Sequence, residues 1–349
     1  MSNIVYVVDK LNSALWTAAN SRLKISGGQI LCSNQFLSPN YLINAILKSD
    51  IKTVIFCWRK ALLDLNESFI SSSRLFELYN EKNIVVLIPD YLGLDDKFFE
   101  TEHKILDMSH SYYVTNKDLF KLYSNKFEKK PSGILHDIPD LECIDIVKKI
   151  PKQIKNPGEI LTLIWIGNSK WGKRQRVFDH KGFKEVVEPL NKYISINCKS
   201  CKLTIIDSSQ GLLPYIEVLS RIREADILIQ TSKSEGTGLS VLEAFALETA
   251  VVSTPVGVFA EVVPIEFKEH FIRNNIIEIH SKIHQINLKK STSIFLKFWQ
   301  EYLNSALAEQ INHPTRKSIG YELRNSSIWV KFKVLAFWML RFFVYLKNK

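Results

Sequence analysis

The 349-residue sequence has no run of about 18 apolar residues free of charge, so it predicts no membrane-spanning helix of the usual kind. It begins with MSNIVYVVD, which already has the pattern of a strand, so no signal peptide is predicted. Cysteine is scarce, and five scattered residues, an odd number, argue against a disulfide framework and for a reducing compartment. With 46% apolar and 23% charged residues, the chain is predicted to be globular, cytoplasmic and long enough for two domains.

Two of the cysteines form the one C-x-x-C pair of the chain, Cys198 and Cys201. A zinc site needs a second pair of ligands, and no matching pair of Cys or His is evident. We therefore interpret these residues as two incidental thiols in a loop.

Acidic residues are scarce at the carboxyl end. The whole chain has a net charge of +10, and residues 311–349 hold eight Lys or Arg against the one acid Glu322, which leaves about +7 in this tail. Ile328–Leu346 is rich in Trp and Phe, with three embedded cations that do not collect on one helical face. Two interpretations stay open: a basic, aromatic helix that anchors the protein to a membrane surface, or a helix packed back on the body. Because the excess charge lies in the tail, no nucleic-acid partner is predicted.

Short apolar runs alternate with helical patterns along the rest of the chain. The predicted strands are Ile4–Val8, Thr53–Trp58, Ile84–Pro89, Tyr112–Thr115, Ile134–His136, Leu161–Ile166, Leu203–Asp207, Asp226–Thr231, Ala250–Thr254 and Ile276–Ile279. The predicted helices are Tyr41–Lys48, Ser72–Lys82, Lys97–Met108, Gly182–Tyr193, Pro214–Glu224 and Leu239–Leu247. This alternation predicts an α/β fold of two Rossmann-like, doubly wound domains, 1–150 and 157–310, that face a cleft. The polar stretch Lys148–Gly158 is the predicted linker, and 311–349 is the tail.

The strongest chemical signal lies in the stretch Ile227–Glu261, where a buried-type strand leads through the loop KSEGTG into a helix. A helix start offers unpaired N–H groups and the positive end of the peptide dipoles, and Gly236 and Gly238 let a ligand approach the backbone. These features predict an anion, most naturally a phosphate, at the helix start. Glu235 and Glu243 bracket that start and could each accept sugar hydroxyls. The alternative is that Glu235 is a capping-region acid and Glu243 a solvated helix residue.

This stretch resembles the signature of the family 4 (group 1) retaining glycosyltransferases, which have the GT-B fold. Glu235-Gly-Thr-Gly-Leu-Ser-Val-Leu-Glu243 has the E-x7-E spacing and the EGxG loop, and AFA at 244–246 and TPVG at 254–257 follow in order. Upstream, Leu163–Gly167 resembles the opening strand of the family's second domain, and Arg221–Ser232 resembles its helix–strand unit. The resemblance covers about residues 160–265 well and the first half only in outline.

The resemblance implies a role for each matching residue. Glu243 would bind the donor ribose and Glu235 the donor sugar. The diphosphate would lie on the backbone of Gly236, Thr237, Gly238, Leu239 and Ser240, beside the strand end at Gly167. A co-substrate, a nucleotide diphosphate sugar, would supply the reactive group, so no cofactor and no metal are predicted.

The chain departs from the family pattern at several positions. Asn168 stands where the family carries an Arg, and a longer insert follows before Lys181, which we predict to neutralise the departing phosphate. The missing Arg could be replaced by one of four basic residues of the insert, or these could form a solvated loop. The four are Lys170, Lys173, Arg174 and Arg176. Two turn glycines of the family are replaced by Glu248 and Val258.

On the acceptor side, the family often has a His where this chain has Pro89 and Asp90. A polar residue at the carboxyl end of a strand faces the cleft in such sheets, so Asp90 is the candidate acceptor-side acid, with a capping aspartate as the alternative. Asp9, His136 and Asp137 are weaker candidates on the same logic.

Together these features predict a retaining, metal-independent glycosyltransferase that moves a hexosyl or related sugar to an acceptor hydroxyl. The basic tail suggests a glycan or lipid-linked acceptor at the inner face of the cell membrane, as in assembly of bacterial surface polysaccharide, O-antigen or capsule. The alternatives are a nucleotide-sugar epimerase of similar architecture and a sugar-nucleotide-binding protein that has lost catalysis.

Overall fold

A computed structural model of the chain describes residues 3–11, 13–57, 59–62, 72–90, 96–152, 159–171, 179–272 and 275–312. Three basic residues of the insert, Lys173, Arg174 and Arg176, lie outside the described residues, as does the tail from residue 313 onward. No helix of the described ranges is long and apolar enough to cross a membrane.

The first half of the chain forms a sheet of six parallel strands in the order β2-β1-β3-β4-β5-β6. Its strands are β1 (Ile4–Val8), β2 (Gln29–Cys32), β3 (Thr53–Phe56), β4 (Asn83–Ile88), β5 (Ser111–Val114) and β6 (Gly133–Ile134). The central strands are buried on both faces, which explains why their sequences are continuous rather than alternating apolar runs.

The second half forms a sheet of four parallel strands in the order β10-β9-β7-β8. Its strands are β7 (Leu161–Gly167), β8 (Cys201–Asp207), β9 (Ile227–Gln230) and β10 (Ala250–Ser253). The α/β fold class with two doubly wound sheets is therefore confirmed.

Helices connect the strands in both halves. In the first half they are α1 (Ala14–Ser26), α2 (Pro39–Leu47), α3 (Ser72–Glu81), α4 (Asp96–Asp107), α5 (Lys117–Lys126) and α6 (Leu141–Lys148). In the second they are α7 (Glu188–Asn197), α8 (Tyr215–Glu224), α9 (Leu239–Ala246), α10 (Gly257–Val262), α11 (Ile276–Gln285) and α12 (Leu288–Asn312). Side-chain caps fix several starts: Asn116 accepts from Leu119 N and Asp140 from Cys143 N.

Packing crosses the predicted domain boundaries, which stay predictions. Helix α6 contacts α8, and Ile144 and Val147 of α6 belong to the apolar core of the second sheet. The last described helix, α12, returns to contact α1 of the first half. The two halves are thus joined by side-chain packing as well as by the covalent connection.

One predicted strand is wrong. Ile276–Ile279 opens helix α11, whose first turn is capped by Asn275 through hydrogen bonds from Ile277 N and Glu278 N. Ile279 and Ile283, four residues apart, are buried, as expected for one face of a helix. The short isoleucine run by itself did not indicate this period. Strand β2 and the helices α1, α5, α6, α10 and α12 were not predicted from the sequence.

The expectation that no pair of Cys or His matches Cys198 and Cys201 is also wrong. Helix α11 brings His280 and His284 to them, and the ligand-type atoms of all four residues lie within 4.8 Å of one another. In the sequence the two His are about 80 residues away and follow a stretch that was predicted as a strand, so their pairing with the thiols was not evident.

Candidate functional site

The loop before α9 lies between the two halves of the chain. Gly236 is buried, and a Cβ atom added to it would lie 1.4 Å from the carbonyl oxygen of Pro89 at the end of β4. The amide of Asn116 donates a hydrogen bond to the Gly236 carbonyl, and Thr237 Oγ1 donates to Asp137 Oδ2 at 2.8 Å. Only glycine fits such a close approach of two backbones. The carboxyl ends of both sheets therefore meet at this loop, as expected for a cleft between doubly wound domains.

Lys181 and Glu235 form an ion pair beside this loop. Lys181 Nζ lies 2.5 Å from Glu235 Oε1, with side chains 22% and 15% exposed. The lysine backbone is fixed because Thr231 Oγ1 donates to the Lys181 carbonyl at 2.6 Å. Next to it, Gly182 has a φ of 65°, and a Cβ there would lie 2.4 Å from the Thr231 carbonyl oxygen. Two residues predicted to serve the donor are thus in direct contact, although 54 positions separate them.

Two aromatic rings lie next to Lys181 of this ion pair. The Lys181 ammonium lies 5.6 Å from the ring centroid of Trp171, and the Trp171 and His180 rings are 4.2 Å apart. Burial, and then the charge of Lys181, lower the pKa of His180, while Glu235 and Asp90 oppose them. Asp90 of the first half thus acts electrostatically on the same imidazole as Glu235 of the second.

The start of α9 has the geometry expected of an anion site. Gly238 adopts the left-handed conformation, with φ 78°, and serves as the N-terminal cap residue without a side-chain partner. Leu239 and Ser240 form the first turn and, like Gly238, are half-buried. Because the first turn of a helix leaves its N–H groups without intrahelical partners, this turn can donate to an oxyanion.

Glu243 is buried one turn further into α9, with 5% of its surface exposed. The hydroxyl of Tyr215 donates to Glu243 Oε1 at 2.7 Å. Burial raises the pKa of Glu243 to about 7, although the hydrogen bond from Tyr215 opposes the rise. The alternative of a solvated helix residue is therefore wrong: this carboxyl is held in an apolar setting with one fixed donor.

The end of β7 contributes Gly167 and Asn168. A Cβ at Gly167 would lie 2.6 Å from the indole of Trp165, so the glycine makes room for a buried ring. Asn168 Oδ1 accepts from Lys170 N at 3.0 Å, which makes a short turn. The following Ser169 donates twice to Asp207, and these and further donors hold the pKa of Asp207 below its usual range, although its partial burial acts in the opposite direction.

Asp90 is tied to a buried cation. Arg59 Nη1 lies 2.8 Å from Asp90 Oδ1, and Arg59 Nε lies 2.5 Å from Glu102 Oε1. Glu102 is nearly inaccessible, and its burial raises its pKa against the opposing charge of Arg59. Asp90 keeps 30% of its side chain exposed, so it has both a fixed orientation and access to solvent.

The weaker acceptor-side candidates have structural partners. His136 Nδ1 lies 2.5 Å from Glu309 of α12, and Asp137 pairs with the buried Arg22 at 2.6 Å. Asp9 accepts from Ser13 Oγ at 2.5 Å, next to the start of α1. Each therefore has a role in holding elements together.

Both substituted turns keep their shape. Glu248 adopts the left-handed conformation, with φ 59°, that glycine usually takes at the end of a helix. Helix α9 therefore ends normally, and Thr249 N donates to the Ala244 carbonyl at 2.9 Å. At the second turn, Gly257 has a φ of 57° and Val258 N donates to the Thr237 carbonyl at 3.0 Å. The departures at Glu248 and Val258 thus leave the turns intact.

Sequence reasoning missed several residues that shape this site. Asn116 contacts the glycine loop, Arg59 orients Asp90, and Tyr215 holds Glu243. No local sequence pattern indicates these contacts, because each residue lies 28 or more positions from its partner along the chain. Trp171 and His180 lie within the insert and could have been noticed as an aromatic pair next to Lys181.

Comparison with known proteins agrees with this geometry. Residues 208–293 match the family model described as glycosyl transferases group 1, a range that contains both Glu235 and Glu243. No curated protein sequence matches the chain.

Solved structures resemble the chain in fold. A point mutant of S. aureus TarM, in complex with fondaparinux, α-GlcNAc-glycerol and UDP, is 13% identical over 80% of this chain and 58% of its own, with a TM-score of 0.56. HepE from Anabaena, in complex with UDP and glucose, is 10% identical over 90% of this chain and 100% of its own, with a TM-score of 0.60. The trehalose-6-phosphate synthase OtsA is 9% identical over 88% of this chain and 99% of its own, also with a TM-score of 0.60. At such identities the likeness establishes the fold alone: the chain has the GT-B fold and spans little more than half the length of TarM.

Proposed function

We propose that this chain is a glycosyltransferase that moves a sugar from a nucleotide diphosphate sugar to an acceptor hydroxyl. The observation that carries the proposal is the contact of Lys181 with Glu235 at the loop that opens α9, with Glu243 buried one turn beyond. A cation and a helix start can bind a diphosphate, and the two carboxylates can accept hydroxyls of a sugar and of a ribose. The match of residues 208–293 to glycosyl transferases group 1 supports the same assignment.

In this proposal the diphosphate lies on the first turn of α9 and against Lys181. Binding of the donor moves Lys181 from Glu235 to the phosphate, which frees Glu235 to accept hydroxyls of the donor sugar. Glu243 accepts the ribose hydroxyls. Because the charge on the phosphate grows as the sugar–phosphate bond breaks, Lys181 stabilises the transition state more than the ground state.

We further propose that transfer occurs with retention and needs no metal at the reacting centre. The bond between the anomeric carbon and the phosphate oxygen breaks, and the acceptor oxygen forms its new bond on the same face of the sugar. The acceptor proton passes to the departing phosphate oxygen. Asp90, oriented by Arg59, is the proposed acid that receives the acceptor's hydroxyls.

Donor binding is tested first, by thermal stabilisation of the purified protein with UDP-, GDP- and dTDP-sugars. One class of nucleotide sugar should raise the melting temperature, and stabilisation by none of them would count against a donor site. Analysis of products with and without acceptor extract then separates transfer from epimerisation, which needs no acceptor. Binding without any turnover would instead indicate a binding protein.

The role of Lys181 is tested with Lys181→Ala, which should lower turnover at least about tenfold, because a loss of about 1.4 kcal/mol of transition-state stabilisation corresponds to that factor. The matched control is Lys297→Ala, since Lys297 also pairs with a glutamate but is 73% exposed on α12. Full activity of the Lys181 variant, or an equal loss in the control, would remove Lys181 from the site.

We propose that the acceptor is a glycan or lipid-linked molecule at the inner membrane surface, as in surface-polysaccharide assembly, and that the basic tail holds the protein there. The tail lies outside the described residues, so the support is its composition. Truncation after Asn325 should release the protein from membranes in a flotation assay. Unchanged partitioning would contradict the anchor.

A further inference from the structure

Four side chains with metal-ligating atoms meet on the second half of the chain, away from the site described above. Cys198 follows the last turn of α7, Cys201 begins β8, and His280 and His284 lie one turn apart on α11. One ligand atom from each of the four lies within 4.8 Å of every other. Both thiols are buried, His280 is half-buried and His284 is exposed.

The measured separations are close to those of a tetrahedral site. His284 Nε2 lies 3.4 Å from Cys201 Sγ and 3.7 Å from Cys198 Sγ. In a tetrahedral zinc site with bonds of about 2.3 Å to sulfur and about 2.0 Å to nitrogen, neighbouring ligand atoms are separated by roughly 3.3–3.8 Å. Small side-chain rotations of the remaining pairs would therefore bring all four atoms to bonding distance of one ion.

The backbone holds each pair of ligands in the required geometry. The turn between the cysteines is closed by the hydrogen bond from Cys201 N to the Cys198 carbonyl, at 3.3 Å. The two His are four residues apart on one helix face, and their ring centroids are 4.7 Å apart. Both pairs thus have the short spacings, C-x2-C and H-x3-H, that bind zinc from a turn and a helix.

Protein groups alone leave this cluster incompletely satisfied. Nε2 of His280 is buried and has no hydrogen-bond partner among the described residues. Its ring packs edge-on against Tyr193, with centroids 5.1 Å apart, which gives that nitrogen no acceptor or donor. A buried ring nitrogen without a partner is uncommon and points to a missing ligand.

From this geometry we propose that Cys198, Cys201, His280 and His284 form a structural Zn²⁺ site. Two thiolates and two neutral imidazoles are a ligand set that suits zinc and fills a tetrahedral shell with protein atoms. No position is left for water or substrate, so the site would be structural rather than catalytic. Uptake of one ion by the reduced protein replaces the two thiol protons, which are released to solvent.

The place of the ion in the fold indicates what it would stabilise. Cys201 pairs with Leu161 at the amino-terminal end of the second sheet, whereas Gly167 and Asp207 pair at the opposite end, beside the candidate functional site. The ion would join the turn between α7 and β8 to α11, an element that follows them by more than 70 residues. Because the four ligands come together only in the folded chain, binding of zinc should stabilise this half. The inference does not depend on the proposed function.

The test is metal analysis of the full-length protein purified under reducing conditions without chelators. We expect one zinc ion per chain, and loss of that zinc in Cys201→Ser and in His284→Ala. The histidine variant matters because His284 is exposed, so it should fold even if the cysteine variant does not. The matched controls are Cys143→Ser and His103→Ala, whose side chains lie elsewhere in the structure and should retain zinc.

A second readout uses Co²⁺ added to metal-free protein. Tetrahedral Co²⁺ with thiolate ligands should give intense visible ligand-field bands that are absent in His284→Ala, and a high-affinity chelator should lower the melting temperature of the wild type but not of this variant. The proposal would be overturned by protein that neither contains zinc nor takes up one equivalent after reduction. Equal zinc content in the wild type and in the His284 and Cys201 variants would overturn it as well, as would a Cys198–Cys201 disulfide in protein that binds no metal once reduced.

Discussion

Glu243→Gln should make the protein more stable at pH 8 and should remove a large part of the pH dependence of its stability. Glu243 is buried against the core, with Tyr215 as its one hydrogen-bond donor among the described residues, and burial raises its pKa to about 7. A group whose pKa is higher in the folded than in the unfolded chain stabilises the fold at low pH. That contribution is lost as the pH rises through the folded value, because the buried carboxyl must then ionise.

The magnitude follows from the two pKa values, about 7 in the fold and the ordinary 4.5 in the unfolded chain. Each unit corresponds to about 1.4 kcal/mol, so the fully ionised carboxyl costs about 3.4 kcal/mol, and about 2.5 kcal/mol of this appears between pH 5 and pH 8. Glutamine has nearly the same shape, can still accept from Tyr215 and does not ionise. The stability of Glu243→Gln relative to the wild type should therefore rise by about 2.5 kcal/mol across that range.

The assay is guanidinium unfolding of both proteins at pH 5, 6, 7 and 8, followed by tryptophan fluorescence, with midpoints and slopes compared at each pH. Glu224→Gln is the matched control, because this glutamate is 69% exposed on α8 and its replacement removes the same charge from the surface. A stability difference between Glu243→Gln and the wild type that stays constant from pH 5 to pH 8 would refute the argument. So would an equal pH trend in the control.

Two further variants test the backbone of the site. Gly236→Ala places a Cβ 1.4 Å from the Pro89 carbonyl oxygen, so it should push the glycine loop away from the first half and weaken donor binding at least about tenfold by calorimetry. Gly211→Ala is its control, since a Cβ there has no neighbour within 4 Å, and equal loss in both variants would contradict the argument. Glu248→Gly should stabilise the protein by about 1 kcal/mol in denaturant unfolding, because a non-glycine residue at φ 59° is strained. Glu248→Ala keeps the Cβ and should show no such gain; a gain of the same size would indicate that the charge, not the conformation, was responsible.

What could be predicted from the sequence depends on how far apart the interacting residues are along the chain. The parallel strands were predictable because strands buried on both faces are short apolar runs, whatever their neighbours. The helix start at Gly238 and the position of Glu243 one turn beyond are set within nine residues, so the motif alone placed them. Contacts between the halves, such as Asn116 with Gly236, and contacts between distant elements of one half, such as Arg59 with Asp90, depend on how the sheets and helices meet, and no local pattern contains that information.

The prediction at Ile276–Ile279 shows how one wrong element can hide a site. His280 follows this stretch directly, and if the strand continued to His284 the two residues would be about 13 Å apart and could not reach the same ion. On a helix, the rise from His280 to His284 is about 6 Å and the two residues lie on one face, which brings both rings together. Three isoleucines in the stretch of four favoured a strand by propensity, whereas burial of Ile279 and Ile283 on one side favoured a helix through tertiary packing. Interpreting this segment with the period of a strand instead of that of a helix gave the wrong secondary structure. It also prevented His280 and His284 from being recognised as the partners of the two thiols.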